Sequence, residues 1–283
     1  MIAITGASGQ LGQALTECCT HHGMDFVGLS RADLDITDAA AVKNFFFKHP
    51  CDCIFNCAAY TQVDAAEDNP GEACLVNSFA PWNLARTSIP VIHISTDYVF
   101  DGSNSTPYTV ENAPRPLSAY GLSKRMGETS LLEGAFRGVI VRTAWTYSAR
   151  SGTKNFFHTM RKLFKERSSI GVVNDQFGTP TLAEDLAQAL LDLYLMKQHL
   201  KPMHVLHYTN AGLATWFEFA QAIARLSNAN CTVKPITTSE FPTKAHRPAY
   251  SVLSLQAIEE LGIKPRSWLD ALESIFKNKT AHV

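Results

Sequence analysis

Two side chains one helical turn apart carry the clearest suggestion of chemistry. Tyr120 and Lys124 stand at i and i+4 in Tyr-Gly-Leu-Ser-Lys, at the start of a helical pattern, so they share a helix face. A phenol with its ordinary pKa near ~10 is a poor acid at neutral pH. A neighbouring ammonium favours the phenolate and brings proton transfer into a useful range. The spacing alone is common by chance, and its weight comes from what precedes it. His93-Ile-Ser95-Thr96-Asp97 closes an apolar run, and open α/β sheets place their active sites at such strand ends. A Thr96 hydroxyl there can hydrogen-bond a carbonyl and hold the phenol in line.

A second constellation opens the chain. Gly6-Ala-Ser-Gly9-Gln10-Leu11-Gly12 follows the apolar run Ile2–Thr5 and leads into a helical pattern. Glycines let backbone approach a pyrophosphate closely, and a helix N-terminus offers free N–H groups and a positive dipole end. The position, strand before and helix after, predicts a dinucleotide site. The residues after the second predicted strand speak to which dinucleotide. An acidic residue there would bond the 2′-hydroxyl of NAD, whereas arginine accommodates a 2′-phosphate. The chain has Ser30-Arg31, with Asp33 and Asp35-Ile36 further on. The missing carboxylate and the planar Arg31 cation favour NADPH, with NADH as the alternative and a plain surface arginine as the bland reading.

The elements that must position these residues alternate. Strands are predicted at Ile2–Thr5, Asp25–Leu29, Cys53–Asn56, Val91–Ser95 and Val139–Arg142, and helices at Gln10–His22, Asp38–Lys48, Glu72–Thr87 and Ala119–Leu132. The strands are apolar nearly throughout, as strands covered on both faces are. That alternation predicts an α/β fold, a doubly wound parallel Rossmann sheet. After Arg142 the alternation weakens. Helices are expected at Phe156–Glu166, Thr215–Leu226 and Trp268–Lys277, and strands at Ile170–Val173 and Val205–Tyr208. Thr181 and Glu184 have the spacing of a capping box for a helix over Leu182–Met196. This gives a dinucleotide-binding domain over 1–145, with 181–209 returning to it, and a smaller mixed lobe over 146–283 for the substrate.

Composition narrows the class. The chain has 283 residues, 46% of them hydrophobic, 25 Lys plus Arg against 26 Asp plus Glu, and a formal net charge of −1. Nothing in that balance suits nucleic acid or an anionic membrane. No apolar run reaches the ~18 residues of a membrane span, and no charged leader is evident. Seven cysteines, an odd number without framework spacing, read as reduced thiols of a cytoplasmic protein. Cys51, Cys53 and Cys57 lack zinc-ribbon spacing.

Longer strings identify a family. Ser95-Thr-Asp-Tyr-Val-Phe-Asp-Gly102 and Pro116-Leu-Ser-Ala-Tyr-Gly-Leu-Ser-Lys-Arg-Met-Gly-Glu128 closely resemble the dTDP-4-dehydrorhamnose reductases among extended short-chain dehydrogenases. So do Asn56-Cys-Ala-Ala-Tyr-Thr61, Arg142-Thr-Ala-Trp145, Asn174-Asp-Gln-Phe-Gly-Thr-Pro180 and Arg247-Pro248 with Ser251 and Leu253. The resemblance runs through essentially the whole chain. It implies reduction of the C4 ketone of a dTDP-4-keto-6-deoxy sugar to dTDP-L-rhamnose, with Thr96, Tyr120 and Lys124 catalytic. It places Gly9, Gln10 and Leu11 against the pyrophosphate and Ala58, Ala59, Tyr60 and Thr61 beside the nicotinamide. Thr96, Asp97 and Trp145 would meet the sugar, and Arg247 is a candidate for the substrate pyrophosphate. Relatives sometimes use a divalent metal at a subunit contact, although no ligand cluster here demands one. A homodimer is the family habit.

Each residue also has a structural reading. Trp145 could be a core aromatic, Asp97 a loop cap, Tyr60 and Thr61 strand ends, Asn77 a buried brace and His93 a satisfied core histidine. Asp97 is followed by Tyr98 and not by glutamate, which disfavours a dehydratase. Two alternatives stay open: reduction of another 4-keto-6-deoxy sugar nucleotide, and a non-catalytic regulatory subunit of the methionine adenosyltransferase β type.

Overall fold

The structure is a computed structural model that describes residues 1–135, 137–196, 200 and 202–280. In the first half, β1 (Ile2–Thr5), α1 (Gln10–His21), β2 (Phe26–Leu29), α2 (Ala39–Lys48) and β3 (Cys53–Asn56) follow in turn, then α3 (Val63–Asp68) and α4 (Pro70–Cys74). A π-helical turn, Leu75–Phe79, leads into α5 (Ala80–Ala85), followed by β4 (Val91–Thr96), α6 (Ala119–Gly134) and β5 (Gly138–Thr143). The second half holds β6 (Thr146–Tyr147), α7 (Phe156–Glu166), β7 (Ser169–Val173), β8 (Phe177–Gly178), β9 (Thr181–Leu182) and α8 (Ala183–Leu195). It ends with β10 (His204–His207), β11 (Ala214–Thr215), α9 (Trp216–Leu226), β12 (Thr232–Ile236), α10 (Gln256–Glu259) and α11 (Trp268–Thr280).

Six strands form one sheet in the order β10-β5-β4-β3-β1-β2, with every pairing parallel. The period of two decides which face each residue joins. Ile2 and Ile4 enter the core beneath α1 and α8, with Leu15, Leu186 and Leu190. Ala3, between them, enters the opposite core with Val42, Phe46, Leu84 and Leu131 from α2, α5 and α6. From β1 the chain runs outward to β2 and then returns past β1 to β3, so the order reverses between β1 and β3. A crevice opens at the carboxyl ends of strands at such a point.

The smaller lobe has its own core, built by Phe157, Met160 and Phe164 of α7, Phe219 and Ile223 of α9, and Leu272 of α11. Two short stretches join it from elsewhere: Tyr108 bridges Leu253, and Val99, Phe100, Tyr108 and Leu253 share a small cluster. Thus the segment between β4 and α6 packs with the C-terminal lobe, which the strand–helix alternation gave no means of seeing.

Two local expectations need correction. The helix expected over Glu72–Thr87 is broken into α4, the π turn and α5, and α3 precedes it. Pro81 lies in the first turn of α5 and has no N–H to continue a regular α ladder; wider turns relieve that deficit. The Thr181–Glu184 capping box does not form. Thr181 is held in β9 against β6, and the Leu182 N–H donates instead to Asn210 Oδ1 at 2.8 Å. Glu184 Oε1 accepts from Ser148 Oγ (2.8 Å) and Arg150 Nε (2.9 Å). Capping boxes form instead at Thr215 with Glu218, at the start of α9, and at Thr237 with Glu240, at a short 3₁₀ turn.

Candidate active site

The glycine-rich turn lies at the switch point between β1 and β3. Gly6 has φ of +68°, and a Cβ there would stand 2.6 Å from the Ala58 nitrogen; at Gly12 it would stand 2.2 Å from the Gly6 carbonyl oxygen. Side chains are therefore excluded, and the turn presses against the loop after β3. Gly9 is the N-cap of α1 and brings no side-chain acceptor, and the first turn carries no acidic residue. The N–H groups of that turn and the positive end of a twelve-residue helix are thus left to meet an anion. Gln10 turns its side chain across to the lobe, donating to Thr146 O at 2.9 Å and accepting from Asn155 at 3.1 Å. Leu11 is buried in the core, so only its backbone can face a pyrophosphate.

A cavity of about 370 Å³ runs from this turn over the strand ends, lined in part by Gly6, Gly9, Ser30, Arg31, Asp35 and Ile36. Ala58, Ala59, Tyr60 and Thr61 line its other end. Leu34, Thr37, Gln62 and Val76 line it too and were not singled out from the sequence. Arg31 is largely exposed, with its Nε 3.5 Å from Asp35. Ser30 Oγ donates to Asp33 at 2.6 Å, and Asp35 accepts from Thr37 at 2.7 Å, so both nearby carboxylates are engaged. A glycine cradle, an uncapped helix start and an arginine at the far end suit a phosphorylated dinucleotide.

Thr96 ends β4 and Tyr120 begins α6. The Thr96 hydroxyl donates to Asp97 Oδ1 at 3.0 Å and accepts from the Tyr98 N–H at 3.2 Å. The Tyr98 ring meets Tyr120 edge-on, 5.6 Å between centroids. Asp97 is buried, and its Oδ2 has no hydrogen-bond partner among the described residues. Burial pushes this carboxyl up to about 6, against the pull of Ser251 and Thr96.

The expected acidification of Tyr120 is not what the structure shows. Burial pushes the phenol up to about 12, the Thr96 hydroxyl lowers it, and the Asp97 carboxylate raises it. Lys124, almost completely buried, is pushed down to about 8 by burial, with Glu128 and Cys57 acting in the opposite sense. Its ammonium donates to Ile94 O at 2.6 Å and faces His93 Nε2 at 3.4 Å. Sharing a helix face places both groups inward, where burial is the largest influence on each.

Asn77, in the π turn, holds the two halves of the site together. Its Oδ1 accepts from the Tyr60 N–H at 2.9 Å, and its Nδ2 donates to Tyr60 O and Ser123 Oγ, both at 3.0 Å. Ser123 donates onward to Tyr120 O at 2.7 Å. The brace reading of Asn77 is the one the structure shows, and the loop lining the cavity is tied to the turn carrying Tyr120. Deeper, Glu128 is buried and accepts from Arg142 Nε (2.7 Å) and Nη2 (2.8 Å) and from Ser95 Oγ (2.6 Å), fixing α6 to β4 and β5.

The remaining expected residues lie towards the lobe. Trp145 has φ of +47° and stacks on Trp216 at 3.6 Å with 10° between planes. A bulky residue rarely adopts that backbone, and such strain concentrates at functional sites. Arg247 grips Asp64 of α3, Nη2 to Oδ2 at 2.7 Å, and Lys244 pairs with Asp68 beside it, so this loop straps the lobe to the sheet domain. Among the described residues no group of three or more His, Cys, Asp or Glu could hold a metal.

A family model described as the RmlD substrate binding domain matches residues 1–281. The chain belongs to the RmlD family. A dTDP-4-dehydrorhamnose reductase of Mycolicibacterium smegmatis is 40% identical, covering 96% of this chain and 84% of that one. The crystal structure of a dTDP-4-dehydrorhamnose reductase from Clostridium acetobutylicum superposes with a TM-score of 0.93 at 37% identity, covering 99% of each chain. Another, from Bacillus anthracis in complex with NADP, gives 0.91 at 36% identity and covers 98% of each. The RmlD match spans both the sheet domain and the lobe, as the motif resemblance does.

Proposed function

We propose that the protein reduces the C4 ketone of dTDP-4-dehydrorhamnose to dTDP-L-rhamnose with NADPH. The observation that carries the reading is the meeting of Thr96, Asp97 and the Tyr120 phenol at the strand ends, tied through Asn77 to the loop that lines the dinucleotide cavity. Family membership and the NADP-bound relative support it. Gly9 and the first turn of α1 would hold the pyrophosphate, Arg31 and Ser30 the 2′-phosphate, and Ala58–Thr61 the nicotinamide end. When bound, the cofactor supplies a hydride to the ketone carbon.

The protein's own part is to hold the oxygen and deliver a proton. Thr96 and Tyr120 hydroxyls converge on the ketone oxygen, and Tyr120 gives its Oη proton as the alkoxide develops. Burial raises the phenol, so Tyr120 keeps its proton through the neutral range but is a weaker acid than a free phenol, a cost that a nearby positive charge offsets as the phenolate forms. Lys124 orients the cofactor ribose and offsets the phenolate as it forms. Asp97 takes a sugar hydroxyl on its free oxygen, and Trp145 forms the wall under the sugar. A regulatory subunit would have no use for this set of proton-handling groups, and nothing in the structure favours that alternative.

No helix among the described residues is long and apolar enough to cross a membrane, and all seven cysteines are free thiols; the cytoplasm suits both. Leu75, Phe79 and Trp82 are exposed beside Leu122 and Met126 of α6. Glu72 and Arg86 flank Phe79 at equal sequence distance, so a two-fold antiparallel contact through Phe79 would pair them. That apolar stripe supports a homodimer. The activity is tested by NADPH oxidation with a panel of 4-keto-6-deoxy sugar nucleotides on dTDP, UDP and GDP. Turnover is expected with dTDP-4-dehydrorhamnose, and oxidation with none of the panel overturns the reading.

A further inference from the structure

A buried row of polar groups crosses the sheet just below the site and ends on Lys124. Thr5, Asn56 and His93 are register partners on β1, β3 and β4. All three are almost completely buried. Thr5 Oγ1 bonds Asn56 Oδ1 at 2.8 Å, Asn56 Nδ2 lies 2.9 Å from His93 Nδ1, and His93 Nε2 lies 3.4 Å from Lys124 Nζ. Polar groups in a sheet core normally find partners within their own neighbourhood. Here the row points in one direction and stops at an ammonium.

We propose that His93 is a positioning residue for Lys124: clamped by Asn56, its Nε2 accepts a hydrogen bond from the ammonium and sets that group's direction and acidity. The inference rests on Lys124 belonging to the reductase site. An ammonium can only donate, so Nε2 must be the unprotonated nitrogen and Nδ1 the protonated one. Nδ1–H then donates to the Asn56 carbonyl oxygen, and the Asn56 amide turns its NH2 toward the Thr5 hydroxyl, which can accept as readily as donate. An amide's oxygen and nitrogen are interchangeable in shape, so this orientation fits the same space. Burial and the facing cation keep His93 well below the usual histidine range, hence neutral and able to accept.

The other groups around Lys124 do not compete for this role. On α6, Tyr120 stands one turn before it and Glu128 one turn after. Glu128 is saturated by Arg142, Arg125 and Ser95. Cys57, after β3, is held as a thiol by burial. On β4 the Ile94 carbonyl takes one N–H of the ammonium and His93 a second.

Loss of the acceptor should destabilise the ammonium by one buried hydrogen bond, about tenfold in its acid constant. The alkaline limb of kcat/KM, where Lys124 loses its proton, should therefore move about one pH unit lower in His93→Leu. In His93→Gln the amide oxygen reaches the position of Nε2, and the limb should return to its wild-type place. His93→Asn is too short to reach Nζ and should behave as His93→Leu does. Comparing Asn with Gln carries the test if the leucine variant does not fold. A limb unmoved in His93→Asn, or moved to higher pH, overturns the inference, since a purely structural histidine would change stability and not this profile. Lys124→Met is measured alongside. If that variant keeps the limb, the assignment of Lys124 fails and this inference with it. If it loses the limb while the His93 variants keep theirs, only this inference fails.

Discussion

Asp97 stores a cost that can be read as a function of pH. It is 1% exposed, its Oδ2 has no partner among the described residues, and burial pushes it up to about 6. From an ordinary carboxyl near 4 that is about two pH units, roughly 3 kcal/mol at about 1.4 kcal/mol per unit. Because the folded pKa lies above the unfolded one, the native state holds a proton that the unfolded chain releases between about pH 4 and 6. Stability therefore falls as pH rises through that window and stays lower above it. Asp97→Asn removes the titration while keeping the shape. Its stability relative to wild type should grow by about 2 kcal/mol between pH 4.5 and 7.5, whatever constant offset the amide brings. Urea unfolding of both proteins at a series of pH values measures this. A stability difference that is flat with pH would show that burial does not raise this carboxyl. The same variant should lose turnover if the free oxygen takes a sugar hydroxyl.

Two further predictions follow from charges elsewhere. Arg31→Ala should weaken NADPH binding about tenfold to a hundredfold, the range for a hydrogen bond to a charged group, while leaving NADH within about threefold; equal losses for both cofactors would show that Arg31 does not read the phosphate. Arg142→Met strands the buried Glu128 carboxylate and should lower stability by about 3–5 kcal/mol in urea unfolding, with much of it regained in Arg142→Met with Glu128→Leu; a loss under about 1 kcal/mol for the single variant would contradict the buried pair.

Much of the fold is legible because its rules are local. The strand Cys53–Asn56 and the helix Phe156–Glu166 have the bounds read from the sequence, since apolar runs between turn residues and a clear 3.6 period leave little choice. Gly6 and Gly12 can be read from the glycine spacing, and the structure supplies the reason: a Cβ would meet the backbone of the Ala58 loop or of the turn itself. What sequence cannot show is competition between partners. Thr181 and Glu184 have the capping-box spacing, yet Asn210, Ser148 and Arg150 take their places. Nor does spacing say how burial changes a charge. Tyr120 and Lys124 stand one turn apart as the pattern says, but desolvation drives the phenol up and the ammonium down, the reverse of what the phenol's neighbour alone would do. The row from Thr5 to His93 needed strand order as well, because only the pairing of β1 with β3 and of β3 with β4 brings those residues together.

In the proposed reaction Tyr120 is the proton donor to the developing alkoxide. Single-turnover reduction of dTDP-4-dehydrorhamnose by Tyr120→Phe loaded with NADPH tests it most directly. The rate should fall by about 10²–10⁴-fold while NADPH affinity stays within about twofold of wild type. A Tyr120→Phe protein that reduces the sugar at the wild-type rate would show that Tyr120 does not donate the proton.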